Sequence, residues 1–324
     1  GDLTVRAGDT TTGLTGVIDY ERINSGSGRF YRLHPTQPVT FTRVNERTTA
    51  PDLGASSLRV ASFNVYNYFN GYGDGTGFND PLQGGADDLA EFTRQRSKII
   101  TALLAIDADV IGLMEIEQDN AYYDTQVTAI EDLVSGLNDI AGTDTYTYTV
   151  EPAPGDDAIK VSLIYKPAKV TPVGSAQNYQ TDLLGYTDVF DRPPLGQTFS
   201  WNGTGDIFTV IVNHFKSKNC GGETGGDVDL GDGKGCYNAK RTAQATALLD
   251  FIDQMKTSSG DDDVIVLGDL NAYAEEDPID VLVNAGLVNM VAQYVSAADR
   301  YSYVFDGQLG YLDHMLVSAS GSTR

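Results

Sequence analysis

The stretch Val264-Ile265-Val266-Leu267-Gly268-Asp269-Leu270-Asn271 decides how this chain is read. Four consecutive apolar residues, two of them valine, predict a strand buried on both faces. Gly268 lets the backbone turn sharply at its end. Asp269 and Asn271 then stand at a strand tip, one a carboxylate and the other a neutral amide. A buried strand that ends in such a pair can hold polar groups against a phosphate. One tetrapeptide is too little to carry that reading alone.

Outward from this strand, apolar runs alternate with helical periodicity. Strands are predicted over residues 58–65, 110–116, 146–151, 161–166, 198–201, 207–213 and 311–317. A Gly/Asp-rich loop over 71–88 leads into a helix over 88–106, with Leu89, Phe92, Ile99 and Leu103 on one face. Further helices are predicted over 128–141, 239–255 (entered through Lys240-Arg241) and near 278–285. Mixed strands with interspersed helices predict a layered α/β sandwich. Residues 1–45 hold only short β-like pieces separated by Gly, Ser and Thr, too little to bury a core. They read as the C-terminal part of a small β-domain, residues 46–57 as a linker, and residues 58–324 as the main domain.

Composition narrows the function. The chain has 324 residues, 45 acidic against 22 basic, and a net charge of −23. That charge suits a salty or extracellular medium and argues against broad, nonspecific polyanion binding. It leaves room for a divalent cation that bridges acidic side chains to a phosphate. No stretch approaches the roughly 18 consecutive apolar residues of a membrane span. Cys220 and Cys236 bracket a loop of Gly, Asp, Asn and Lys with little to pack. A disulfide there would contribute on the order of 3 kcal/mol in the chain-entropy model and implies an oxidising compartment. Two reduced thiols in a cytosolic protein are the alternative. Zinc is disfavoured, because the loop holds no His and no further Cys.

Several predicted strands end in polar residues: Asn64, Glu115, Asn213-His214, Asp269 with Asn271, and Asp313. Each alone has an ordinary explanation as a turn former, a solvated end or a satisfied core residue. Together, on strands able to lie side by side, they suit metal-assisted phosphodiester hydrolysis. Glu115, helped by Asn64, would hold Mg²⁺ or a similar hard cation. His214 would donate to the phosphate or protonate the leaving oxygen. Asp269 and Asn271 would position water and phosphate.

This set resembles the endonuclease/exonuclease/phosphatase superfamily, typified by pancreatic deoxyribonuclease I and exonuclease III. The resemblance rests on Ser-Phe-Asn at Asn64, Leu-Met-Glu at Glu115, Asn-His at His214, Gly-Asp-Leu-Asn at 268–271 and Leu-Asp-His at Asp313. Within it, the chain is most similar to bacterial secreted endonucleases. The shared features are Phe92-Thr-Arg-Gln-Arg-Ser-Lys, Asp191-Arg-Pro-Pro-Leu, His214-Phe-Lys-Ser-Lys and the paired-Cys loop. The resemblance implies a four-layer α/β sandwich with two packed mixed sheets, preceded by a partial OB-like segment. It implies a secreted, extracellular or periplasmic, monomeric endonuclease, either DNA-preferring or acting on DNA and RNA alike, with Mg²⁺ or Mn²⁺ and no membrane partner. Glu115 resembles the principal metal ligand, Asn271 the phosphate-binding amide, Asp269 its acidic neighbour and His214 the first catalytic histidine. Arg192 resembles an arginine near the scissile phosphate, and equally reads as a surface arginine before two prolines.

The family normally finishes with a second histidine in a Ser-Asp-His-x-Pro-Val segment, and no Ser-Asp-His occurs here. Tyr311-Leu-Asp-His-Met-Leu-Val-Ser instead resembles the preceding motif. Asp313 is then the orienting carboxylate, His314 its variable neighbour, and the native chain is expected to continue past Arg324 with the last strand. Asp227, Asp229 and Asp232 read as a structural Ca²⁺ loop or a solvated acidic one. Lys216 and Lys218 read as backbone-phosphate contacts or as charge balance for nearby acids. The tyrosines are spread along the chain, so no stacking platform is expected. A secreted sphingomyelinase is a competing reading that needs an exposed apolar hairpin, and none is evident. A noncatalytic nucleic-acid-binding relative is the other.

Overall fold

The β-branched runs become strands because they can pack on two faces at once. The computed structural model describes residues 5–6, 8–22, 29–44, 54–78, 84–118, 127–180, 189–305 and 308–321. It divides into two units, Gly1–Leu53 and Gly54–Arg324. In the first, β1 (Thr10–Thr11), β2 (Gly16–Arg22), β3 (Arg29–Pro35) and β4 (Phe41–Thr42) form two antiparallel ribbons, β1 with β4 and β2 with β3. Leu3 and Thr4, and the expected linker as far as residue 53, lie outside the described residues.

The second unit begins with β5 (Val60–Tyr68), α1 (Leu89–Ile106), β6 (Val110–Glu117), α2 (Ala129–Ala141), β7 (Thr147–Tyr148) and β8 (Ile159–Tyr165). β9 (Val170–Asn178), β10 (Leu195–Trp201), β11 (Ile207–His214), α3 (Asn238–Ser259) and β12 (Val264–Asp269) follow. The last elements are α4 (Asp277–Asn284), β13 (Val288–Asn289), α5 (Met290–Tyr294), β14 (Tyr303–Phe305), β15 (Gln308–Gly310) and β16 (Asp313–Val317). One mixed sheet has the order β5-β6-β8-β7 and the other β13-β16-β12-β11-β10-β9.

Alternation along the strands sorts side chains into layers. Val110, Met114, Leu163, Phe199, Val212 and Leu267 meet between the sheets. Ile111, Leu113 and Ile164 face α1 and α2. Ile211, Val264 and Val266 face α3 and α4. This is the four-layer sandwich the sequence resemblance implies. The sheets approach closely at Gly112, where an added Cβ would lie 2.2 Å from the Leu267 side chain. Local rules fix the helix starts. Asp88 accepts the amide of Glu91, and Thr128 and Glu131 form a reciprocal capping box.

Three expectations change. Leu89 is half exposed and leaves the core face of α1 to Phe92, Ile99, Ile100 and Leu103. The strand expected over 146–151 shrinks to β7. β9 was not anticipated, because Pro172 and Gly174 argue against a strand interior; as an edge strand with its outer side free, β9 tolerates both.

Candidate active site

Strand register assembles the polar strand ends. Parallel pairing of β11 with β12 sets His214 beside Asp269, and antiparallel pairing of β12 with β16 sets Asp269 beside Asp313. The three share the phase of Val212, Leu267 and Met315, so they face the space between the sheets. Asn64 reaches that space from β5, in the phase of Val60. Glu115 would not reach it by simple alternation. A register shift between Leu113 and Ile116, with Glu115 at φ 67°, turns its carboxylate inward. A non-glycine residue held left-handed at a strand end is strain of the kind that accumulates at functional sites.

The side chains close the gap between the sheets. Asn64 Nδ2 donates to Glu115 Oε1 at 2.9 Å and to Asp269 Oδ2 at 3.3 Å. Asn64 Oδ1 accepts the Tyr66 amide, and Glu115 Oε2 accepts the Asn67 amide, both at 2.9 Å. His214 Nε2 lies 3.9 Å from Glu115 Oε1. The Asn271 amide donates to Asp269 Oδ1 at 2.9 Å, and Asn271 Nδ2 donates to the Phe215 carbonyl at 3.0 Å. Gly268 makes the turn possible: at φ 136°, a Cβ would lie 1.9 Å from the Asn213 carbonyl oxygen.

Electrostatics follow from three carboxylates crowded in one partly buried place. Burial, then the charge of Asp313, pushes the Asp269 carboxyl up to about 7. Burial also raises Asp313. Burial, then the Arg192 charge, holds His214 well below the usual histidine range, so its ring is neutral. Ligand atoms of Glu115, His214 and Asp269 all lie within 4.8 Å of one another. Oxygen-rich, net negative and preformed, this set fits a hard divalent cation.

The model of the Endonuclease/Exonuclease/phosphatase family matches residues 61–324. The chain belongs to this family. Endonuclease/exonuclease/phosphatase members are hydrolases of phosphoester bonds and generally depend on a divalent metal. No curated protein matches the chain. Among solved structures, the human Nocturnin catalytic domain with bound sulfate is 17% identical, with a TM-score of 0.54 over 81% of this chain and 82% of that one. A mannosyl-6-phosphatase of Bacteroides thetaiotaomicron is 15% identical, with a TM-score of 0.53 over 81% of this chain and 86% of that one. These likenesses concern the fold.

On this family fold the remaining expected residues fall in different places. His314, next to Asp313, points to the opposite face, where its Nε2 donates to the Ala272 carbonyl at 2.8 Å. Arg192 is buried: Nη1 pairs with Asp157 at 2.9 Å, while Nη2 and Nε donate to the Phe215 and His214 carbonyls at 2.8 and 3.4 Å. Lys216 pairs with Asp191 at 3.2 Å, and Lys218 with Glu276 at 2.6 Å. Cys220 and Cys236 form a disulfide. Within its loop, Asp227 caps α3 by accepting the Lys240 amide, and Asp229 and Asp232 accept the amides of Gly231 and Lys234. Among the described residues, no metal-competent grouping contains these three aspartates.

Sequence reasoning missed several residues. Gln95 Nε2 donates to the Tyr66 carbonyl at 2.7 Å and steadies the Asn64–Asn67 turn. Asp157 anchors Arg192. Arg241, fully buried, ties the carbonyls of Lys216, Ser217, Lys234 and Cys236 together. The expectation of no exposed apolar hairpin is overturned by β14–β15, which exposes Tyr303, Val304, Phe305 and Leu309. The alternation Tyr301-Ser-Tyr303-Val-Phe305 carried the signal, since period-2 aromatics share one strand face.

Proposed function

We propose that this chain is a secreted, metal-dependent endonuclease of the bacterial extracellular branch, cutting phosphodiester bonds in DNA and also in RNA. The observation that carries the reading is the row His214–Asp269–Asp313 set opposite Glu115 and Asn64 across the gap between the sheets. The disulfide supports an oxidising compartment. Among the described residues, no helix is long and apolar enough to cross a membrane.

Glu115 is the residue that would hold Mg²⁺ or Mn²⁺, and Asn64 orients it. When bound, the cation neutralises charge developing on the phosphoryl oxygens. Asp269 keeps one oxygen on the Asn271 amide and takes a proton from the attacking water with the other. His214, neutral and facing Glu115, donates to the phosphate oxygens or the leaving oxygen. Arg192 acts through the His214 and Phe215 carbonyls, fixing the histidine's backbone. Asp313 supplies negative charge beside Asp269 and raises its basicity.

Plasmid DNA, RNA and choline-phospholipid vesicles, each incubated with Mg²⁺ or Mn²⁺ and with a Glu115→Ala control, test the substrate class. Nucleic-acid cleavage that disappears in Glu115→Ala is expected. Turnover of the phospholipid alone would overturn the reading.

A further inference from the structure

The β14–β15 hairpin exposes aromatic rings that no part of the mechanism uses. Tyr303 and Phe305 are 47% and 59% exposed. Their rings lie on one face, with centroids 6.4 Å apart and planes within 14° of parallel. A two-stranded ribbon is marginal in water by itself, and this one is anchored. The Ser302 hydroxyl accepts the amides of Leu312 and Asp313, and the Ser302 amide donates to the Gly310 carbonyl. Gly310 packs on the Tyr273 ring so closely that a Cβ would sit 2.4 Å from it. The hairpin's base is therefore continuous with Asp313, itself in register with Asp269.

We propose that this hairpin is a platform on which the bases of an unpaired nucleic-acid strand stack beside the cleavage centre. The inference rests on the endonuclease reading and names its substrate as single-stranded or locally unpaired. Charge does not hold a nucleic acid here, so a nuclease of this charge needs another contact. At −23 overall, and with Lys216 and Lys218 engaged by carboxylates, the chain is poorly equipped to gain affinity from phosphates. Stacking depends little on charge and tolerates any sequence, because every base has a π-face. A duplex hides those faces, so the strand must be open. On β5, Tyr66, 80% exposed and two residues from Asn64, adds a further exposed ring. Rings on two separate elements, β5 and the β14–β15 ribbon, suit a strand that passes both.

The test compares wild type with Tyr303→Ala/Phe305→Ala and with Tyr303→Trp/Phe305→Trp, all checked for equal melting temperature. The substrates are a single-stranded oligonucleotide, a base-free phosphodiester strand of equal length and bis(4-nitrophenyl) phosphate; phosphatidylcholine vesicles probe lipid binding. The alanine pair is expected to raise KM on the oligonucleotide by about 10- to 100-fold. It should leave the base-free strand and the small diester unchanged, and the tryptophan pair should restore KM. An unchanged KM on the oligonucleotide overturns the proposal. So does an equal loss on the base-free strand, which means a structural role, or loss of vesicle binding alone, which means a lipid surface. Wild type that hydrolyses the small diester but no nucleic acid overturns the endonuclease reading itself, and is distinct from all of these.

Discussion

Asp313 and His314 show how one residue of strand phase separates two fates. Asp313 faces the carboxylates between the sheets, whereas His314 is buried against the helix side with Nε2 committed to the Ala272 carbonyl. Burial lowers the His314 pKa from 6.5 to about 4. The folded protein therefore binds this proton more weakly than the unfolded chain. Its stability is fully present above pH 6.5 and is lost as pH falls toward 4, by roughly 3 kcal/mol. Urea titrations across that range should show a shallower acid slope for His314→Gln, which keeps a donor for Ala272; an identical slope contradicts this account. Cation binding belongs to the same scale. Mg²⁺ or Mn²⁺ should raise the melting temperature of wild type and leave Glu115→Ala unmoved, since a ligand stabilises only the state that binds it.

At the element scale, Gly268 carries more constraint than its neighbours. With φ at 136° and Asn213 O where a Cβ would go, Gly268→Ala should cost about 3 kcal/mol or more and displace Asp269. Calorimetry showing a loss under about 1 kcal/mol would contradict that packing. The Cys220–Cys236 disulfide closes a loop whose end Arg241 ties to Lys216 and Ser217. Reduction should lower stability by about 3 kcal/mol, read as a drop in melting temperature with added dithiothreitol. These elements also show what was legible. The Val264–Leu267 run and its Gly-Asp-Leu-Asn end announced both strand and site, because burial on two faces demands apolar residues and a sharp turn demands glycine. β9 was hidden, because an edge strand needs neither continuous apolarity nor freedom from proline. The inward turn of Glu115 was hidden too, since it depends on a bulge set by the partner strand. Asp157 and Gln95 act across long stretches of chain, and no local pattern marks them.

Across the whole molecule, the two sheets bring polar strand ends together only because their register is fixed by the apolar core between them. The −23 charge then sets how substrate is met. At that charge, and with Lys216 and Lys218 engaged by carboxylates, KM for nucleic acid should vary weakly with salt, with a log–log slope shallower than about 2, against the steeper slopes of proteins that neutralise 6–10 phosphates. A steep slope measured between low and physiological salt would contradict that. The central claim is that Glu115 and His214, one from each sheet, work as a unit on a phosphodiester. The direct measurement is the rate of plasmid nicking with Mg²⁺ or Mn²⁺ by wild type, Glu115→Ala, His214→Ala and the double variant. Each single variant should lose at least about 100-fold, with the double little worse than the poorer single. Either single variant nicking within tenfold of wild type would contradict the account.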